Sequence, residues 1–131
     1  MKGYVDDIET AIQRNGDFRR VLYTGAHLQL VLMTLQPSEE IGEETHEDRD
    51  QFFRIEDGEG EVLIDGVKHK VEDGVAFIVP AGARHNVINT GAEPLKLYTL
   101  YGPPEHRDST VHRTKSEAES AHEHFDGNTT E

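Results

Sequence analysis

Short runs of alternating apolar and polar residues cover most of the chain between residues 19 and 101. Alternation with a period of two is typical of half-buried β-strands, and turn residues separate these runs. The pair Asp65-Gly66 lies between two runs and predicts a tight hairpin, because both residues tolerate positive φ angles. The pattern predicts eight strands: Arg19–Thr24, His27–Leu35, Phe52–Glu56, Gly60–Asp65, Val67–Val71, Val75–Val79, Asn86–Thr90 and Leu95–Tyr101.

Eight short strands at this spacing predict an all-β fold, a jelly-roll barrel with short terminal helices. Folding two sheets together in this way limits the number of open strand edges. The 131 residues are predicted to form a single domain that spans the whole chain. Its core barrel would cover about residues 19–101, and residues 102–131 would form a C-terminal extension.

Helical patterns appear only at the two ends of the chain. The apolar residues of Val5–Ile12 fall on one helical face, which predicts a short helix that packs across the barrel. A capping-box pattern at Thr114 and Glu117 predicts a second helix over Thr114–His124. The polar tail Phe125–Glu131 is predicted to fray.

Charge and composition narrow the range of functions. The chain carries 26 acidic and 13 basic residues, a formal net charge of −13, so neither nucleic acid nor an anionic membrane is an expected partner. It has no cysteine, so a metal must be held by imidazole, carboxylate or amide groups. The polar N-terminus has no apolar signal core, and a cytoplasmic location is therefore predicted.

Four residues with metal-binding side chains lie in two separated segments. Glu44 and His46 are two positions apart, so both side chains point to the same face of an extended strand. Gln51 begins the next predicted strand, and His85 follows a Pro-Ala-Gly turn. A barrel can bring all four side chains to one point, and a divalent ion requires such a convergence of lone pairs.

The second segment has the pattern Gly-x5-Pro-x-Gly-x2-His-x3-Asn, formed by Gly74, Pro80, Gly82, His85 and Asn89. The first segment has the spacing of Gly-x5-His-x-His-x4-Glu-x6-Gly, at positions Ser38, Glu44, His46, Gln51 and Gly58. These are the two motifs of the cupin family, although the first keeps only its second His and its last Gly. The chain resembles small single-domain cupins of the mannose-6-phosphate isomerase-like group.

The resemblance implies that Glu44, His46, Gln51 and His85 hold one divalent metal ion. Zn, Mn, Fe and Ni all suit a set of two imidazoles and one carboxylate. The neutral carbonyl oxygen of Gln51 would leave such an ion with about one unit of positive charge, which favours a Lewis-acid role.

Two alternatives remain open at this point. In a second register of the first motif, His46 and Asp48 would occupy the two His positions, but Phe53 would then occupy the Glu position and cannot bind a metal. The second alternative is a cupin without metal, whose pocket is only packed. Against it, each replaced ligand position still carries a side chain that can coordinate.

Phe53 and Tyr101 are the predicted substrate-binding residues. Alternation along the last predicted strand points Tyr101 into the barrel, where its hydroxyl could bind substrate or pass a proton. The remaining histidines have no support from a motif. His27 and His69 fall in strands, and we predict that the four in the C-terminal stretch are surface residues: His106, His112, His122 and His124.

The resemblance favours a metal-dependent, isomerase-like enzyme that acts on a small oxygen-rich molecule such as a sugar derivative. An Fe(II)-dependent dioxygenase-type cupin and a non-catalytic module that binds a small ligand are the alternatives. The partners would be a small-molecule substrate and a second copy of the chain. A homodimer is predicted because Val5–Ile12 and the adjacent strand offer apolar surface.

Overall fold

The structure, a computed structural model, describes residues 1–131 and contains ten strands and two helices. All eight predicted strands are present, with bounds within two residues of those predicted. The strands are β1 (Arg19–Thr24), β2 (Gln29–Leu35), β3 (Glu44–Thr45), β4 (Asp50–Asp57), β5 (Glu59–Ile64), β6 (Val67–Glu72), β7 (Ala76–Val79), β8 (Arg84–Asn89), β9 (Leu95–Gly102) and β10 (Val111–His112). The helices are α1 (Ile8–Arg14) and α2 (Lys115–Ser120).

The strands form two antiparallel sheets that together enclose the core, which confirms the predicted all-β jelly-roll fold. The larger sheet has six strands in the order β10-β1-β2-β9-β4-β7. The smaller sheet has four strands in the order β3-β8-β5-β6. Neither helix is long and apolar enough to cross a membrane.

Alternation along β4 and β9 decides which side chains enter the barrel. In β4 the residues Gln51, Phe53 and Ile55 are buried, and every second residue of β9 is buried as far as Tyr101. The register pairs Gln51 with Tyr101 across these two central strands. Paired residues of an antiparallel sheet project to the same face, so these two polar side chains lie side by side in the interior.

Several residues of the second motif shape the backbone around His85. Gly82 has a φ of +88°, a conformation that residues with a Cβ rarely adopt. The Asn89 side-chain amide donates to the carbonyls of Leu35 at 2.9 Å and of Glu93 at 2.8 Å. Gly82 and Asn89 therefore fix the two ends of β8, the strand that carries His85.

The sequence did not predict the two shortest strands. β3 and β10 have two residues each, which is too short for a periodic pattern to show. Both nevertheless position polar side chains, because β3 sets Glu44 opposite His85 and β10 sets His112 opposite Arg19.

Both helices are displaced from their predicted bounds. α1 begins only at Ile8, because the side chain of Asp7 caps it by accepting a hydrogen bond from the Thr10 amide at 3.1 Å. Val5 thus lies outside the helix and is 93% exposed, while Ile12 is 1% exposed. α2 has the predicted cap at Thr114 but ends at Ser120.

The C-terminal extension corrects two predictions. The tail does not fray: the Phe125 amide donates to the Glu105 carbonyl at 3.0 Å, and the Thr130 amide donates to the Thr24 carbonyl at 2.9 Å. The prediction that His106 and His112 are surface residues is wrong, since they are 8% and 6% exposed. The extension folds back along β1 and covers both side chains, whereas the other two histidines of the stretch are exposed.

Candidate metal centre

Glu44, His46 and His85 form a compact group of potential metal ligands. One ligand atom from each side chain lies within 4.8 Å of the other two. The pairing of β3 with β8 sets Glu44 directly opposite His85, and the rings of His46 and His85 are 5.5 Å apart between centroids. Two segments separated by some forty residues thus supply one group of side chains that could hold a metal ion.

His85 is oriented so that one ring nitrogen is free for a ligand. Its Nδ1 lies 3.2 Å from the carbonyl oxygen of Ala83. A carbonyl only accepts, so Nδ1 carries the proton and Nε2 keeps its lone pair. Burial lowers the pKa of His85 and outweighs the opposing hydrogen bond, which keeps the ring neutral near pH 7.

His46 and Glu44 share a hydrogen bond of 3.0 Å between Nε2 and Oε2. That bond, opposed by burial, raises the pKa of His46. Burial pushes the pKa of Glu44 upward, but the hydrogen bond from His46 and the nearby positive charges outweigh it and lower that pKa. The proton of Nε2 therefore lies between an imidazole nitrogen and a carboxylate oxygen. Both atoms can bind a metal once this proton is lost, so a bound cation would replace it.

Glu105 and Arg49 lie behind His46, on the side away from Glu44. A carboxylate oxygen of Glu105 is 3.6 Å from Nδ1 of His46, and Nη1 of Arg49 is 2.6 Å from that oxygen. Arg49 also donates to the carbonyl of Pro104 at 2.6 Å. A carboxylate in this position limits the rotation of the imidazole, as is common behind histidines that bind metals.

Gln51 has a buried amide oxygen that could act as a fourth metal ligand. It is 2% exposed, and its Nε2 donates to Oγ1 of Thr99 at 3.0 Å. The Thr99 hydroxyl donates in turn to the Phe52 carbonyl at 2.7 Å, so Oγ1 must accept from Gln51. This leaves Oε1 buried and without a partner, a costly state that a metal ion would relieve. Coordination by Gln51 itself stays a prediction.

The alternative register of the first motif does not fit the geometry. The side chain of Asp48 is 74% exposed and forms an ion pair with Arg49 at 2.9 Å. Phe53, the third member of that register, is fully buried and stacks on Phe77 with ring centroids 4.7 Å apart. Asp48 therefore faces solvent while Glu44 faces the other ligands.

Phe53 and Tyr101, the predicted substrate-binding residues, both lie close to the histidines. The ring of Phe53 is 6.3 Å from that of His85, and the ring of Tyr101 is 5.9 Å from that of His46. Burial raises the pKa of Tyr101, so its hydroxyl keeps its proton near neutral pH. Contact of either residue with a substrate stays a prediction.

A chain of polar side chains that no sequence pattern predicts leads away from Tyr101. Its hydroxyl lies 3.3 Å from Nε2 of His106, and Nδ1 of His106 lies 2.7 Å from a carboxylate oxygen of Glu123. Burial raises the pKa of Glu123, but the hydrogen bonds from His106 and from the Arg107 amide, together with the charge interactions with His106 and His112, outweigh burial and lower that pKa to about 2. An ionised carboxylate only accepts, so Nδ1 carries the proton and Nε2 of a neutral ring accepts from Tyr101. No motif marks these residues, and only the folding of the extension brings them together.

The chain is similar to known proteins in both sequence and fold. The family model described as the cupin domain matches residues 31–101. The uncharacterized protein YrkC of Bacillus subtilis is 48% identical over 126 residues, which cover 92% of this chain and 68% of that protein. The uncharacterized protein L612 of Acanthamoeba polyphaga mimivirus is 41% identical over 107 residues, 79% of this chain and 67% of that protein. The crystal structure of BH2720 from Bacillus halodurans matches with a TM-score of 0.90 and 46% identity, over 92% of this chain and 96% of that one. The chain, with its paired sheets and its His/Glu group, belongs to the cupin family.

Proposed function

We propose that this cupin is a metal-dependent enzyme that isomerises a small oxygen-rich molecule such as a sugar derivative. Glu44, His46 and His85 would hold one divalent ion, with the amide oxygen of Gln51 as the fourth ligand. The observation that carries the proposal is the convergence of three ligand atoms within 4.8 Å in the same barrel as a buried, unpartnered amide oxygen. When bound, the ion supplies a Lewis acid that polarises a carbonyl or fixes neighbouring hydroxyls.

Tyr101, His106 and Glu123 supply the proton transfer that such a reaction needs. As Tyr101 takes a proton from the carbon beside a carbonyl, its own hydroxyl proton passes to Nε2 of His106. The resulting imidazolium is stabilised by the carboxylate of Glu123, which lies 2.7 Å from Nδ1. The reverse transfer returns a proton to the neighbouring carbon, while the hydroxyl proton of the substrate moves to the former carbonyl oxygen.

The experiment uses hydroxyaldehydes and hydroxyketones in D2O, with proton exchange at the carbon beside the carbonyl followed by NMR. We expect the metal-loaded protein to catalyse exchange. Tyr101→Phe should slow it by about 10² to 10⁴-fold while its metal content is unchanged, because general acid–base groups contribute on that order. Tyr98→Phe is the matched control, since Tyr98 lies on the same strand but faces away from the core.

Equal exchange rates in the two tyrosine variants would contradict the proton-transfer role.

Two histidines and one carboxylate are also the set that Fe(II) oxygenases use, so an Fe(II)-dependent dioxygenase is the second candidate. Oxygen uptake by the iron-loaded protein with the same compounds would favour it. Tight binding of such a compound with neither exchange nor oxygen uptake would instead identify a non-catalytic binding module.

The homodimer is a further part of the proposal, but the surface that supports it differs from the predicted one. Ile12 packs within its own chain, so α1 presents little apolar surface. An apolar row instead crosses the outer face of the six-stranded sheet, where the register aligns Leu30, Leu100, Phe52 and Ile78. Ile78 is 63% exposed at the edge of this row. A second copy could cover the row.

Sedimentation at several protein concentrations tests this surface. We expect Ile78→Asp to shift the protein toward the monomer, because the substitution buries a charge in the proposed interface. Val67→Asp is the control, since Val67 is similarly exposed, at 56%, but lies on the smaller sheet. A monomeric wild-type protein, or dissociation by the control variant alone, would contradict the assignment.

A further inference from the structure

Gln29 is a fully buried amide at the start of β2, with 0% of the residue exposed. The register pairs it with Tyr101 of β9, and Tyr101 pairs in turn with Gln51 of β4. Paired residues of an antiparallel sheet project to the same face, so the three side chains form one row inside the barrel. Gln29 lies outside both motifs and belongs neither to the candidate metal ligands nor to the proposed proton-transfer group.

All the hydrogen-bonding positions of the Gln29 amide are occupied. Its Nε2 donates to Oγ1 of Thr24 at 2.9 Å and to the carbonyl of His106 at 2.7 Å. Its Oε1 accepts from the backbone amides of Glu105 at 3.1 Å and of His106 at 2.9 Å. A backbone amide only donates and a carbonyl only accepts, so these partners fix the orientation of the side chain. Gln29 therefore has no donor or lone pair left for a ligand, unlike Gln51 with its unpartnered oxygen.

Two consecutive residues, Glu105 and His106, are held by this amide. Both lie between β9 and β10, outside any helix or strand, so no ladder of backbone hydrogen bonds fixes them. A carboxylate oxygen of Glu105 is 3.6 Å from Nδ1 of His46. Nε2 of His106 is 3.3 Å from the hydroxyl of Tyr101. Gln29 thus fixes the backbone behind both the candidate metal centre and the proposed proton-transfer group.

We propose that Gln29 is a positioning residue for the site: it sets Glu105 behind a metal ligand and His106 beside the tyrosine that moves the proton. The inference rests on the proposed function and deepens it by one residue outside both motifs. Mutation of the groups behind metal-binding histidines typically changes metal affinity by about 10 to 100-fold. Gln29 acts one step further out, through the backbone of Glu105, so its effect should lie at the lower end of that range.

The test compares Gln29→Met with wild type, because methionine has a similar size but makes none of the four hydrogen bonds. Calorimetry with Zn²⁺ alone should show about tenfold weaker binding in the variant. Nitrogen NMR of the imidazole rings, with the signals assigned through His106→Gln, reports on the second residue. In wild type His106 should carry its proton on Nδ1, which faces Glu123 at 2.7 Å. In Gln29→Met the ring should show a mixture of the two tautomers, because it no longer stays between its partners.

Thr24→Val is the matched control. It deletes one hydrogen bond of the same buried amide but leaves the bonds to Glu105 and His106 in place. Both variants should lower the melting temperature, whereas only Gln29→Met should weaken Zn²⁺ binding and change the His106 signal. Gln29→Glu makes the test independent of the folding of Gln29→Met. It keeps an acceptor for both backbone amides but opposes the carbonyl of His106, so it should change the His106 signal and keep most of the Zn²⁺ affinity.

A purely structural role makes a different prediction. Gln29→Met would then match Thr24→Val in Zn²⁺ affinity or in the His106 signal, and either result would overturn the proposal. So would an unchanged His106 signal in Gln29→Glu. A wild-type protein that binds no Zn²⁺ would instead contradict the proposed metal centre, and the His106 signal would still decide whether Gln29 positions that ring.

Discussion

His85 and His106 are two buried histidines of one barrel, yet the structure holds them in opposite ways. Nδ1 of His85 donates to a backbone carbonyl, which leaves the other nitrogen free for a cation. Nδ1 of His106 faces the carboxylate of Glu123, and its other nitrogen faces the hydroxyl of Tyr101. The first arrangement suits a metal ligand, and the second suits a group that receives and returns a proton.

The difference indicates that the partners of each ring, rather than burial alone, set which ring nitrogen carries the proton and which keeps a lone pair. His85 lies in a strand that backbone hydrogen bonds and a glycine turn hold in place. His106 depends on side chains from a terminal extension that follows the barrel. Variants of each histidine and of its neighbours test whether the two histidines have separate roles.

The largest effect is expected from removal of a histidine in the metal centre. His46→Ala and His85→Ala should each lose most of the bound metal, because each deletes a strong neutral donor from a small ligand set. His106→Ala should keep the metal, and His69→Ala serves as the exposed control. Elemental analysis of the purified variants gives the stoichiometry.

Full metal content in both variants of the metal centre would contradict the assignment and would place the metal elsewhere. Loss of metal from His106→Ala would show that the extension contributes to coordination, and the division between the two histidines would then be wrong.

A smaller effect is expected from Gln51→Glu. The new carboxylate adds a negative charge beside the ligands, so metal affinity should rise, by about tenfold for an added interaction of about 1.4 kcal/mol. The metal-free variant should be less stable by about 1 kcal/mol, because the amide donor to Thr99 is lost. Competition with a chelator and thermal unfolding measure the two effects, and unchanged affinity would argue that Gln51 does not face the metal.

The smallest effect is expected from Glu123→Gln, which changes the proposed proton-transfer group. Because the pKa of Glu123 is lowered from its usual 4.5 to about 2, the ionised form stabilises the fold above pH 4.5. That stability is lost as the pH falls from 4.5 to about 2. The substitution should cost about 1 kcal/mol at pH 7, after allowance for solvent screening, and should flatten the acid side of the stability curve.

Urea unfolding between pH 2 and pH 7 measures this curve. Glu119→Gln is the matched control, because Glu119 is a solvent-exposed glutamate on α2 whose closest cation lies 3.8 Å away. Parallel curves for wild type and Glu123→Gln would contradict the stabilising hydrogen bond between Glu123 and His106. Metal content of the Glu123 variant should stay unchanged, which again separates the extension from the metal centre.

Most of the barrel and part of the site were predictable from the sequence. The strands showed a period of two, and Asp65-Gly66 marked a hairpin that the structure contains between β5 and β6. His85 was identified by a motif in which every defined position is present. Arg19, His106 and Glu123 were not identified, because nothing in the residues around them distinguishes a buried polar side chain from an exposed one.

The sequence by itself determined the all-β barrel, the family and the spacing of the candidate metal ligands. These depend on local patterns: alternation sets the buried face of a strand, and turn residues set where it ends. The tertiary structure decided the orientation of the amide oxygen of Gln51, the burial of Arg19 and the contact between Tyr101 and His106. Each of these depends on a partner that is far away in the chain: Thr99 on the neighbouring strand for Gln51, and His112 and His106 of the C-terminal extension for Arg19 and Tyr101.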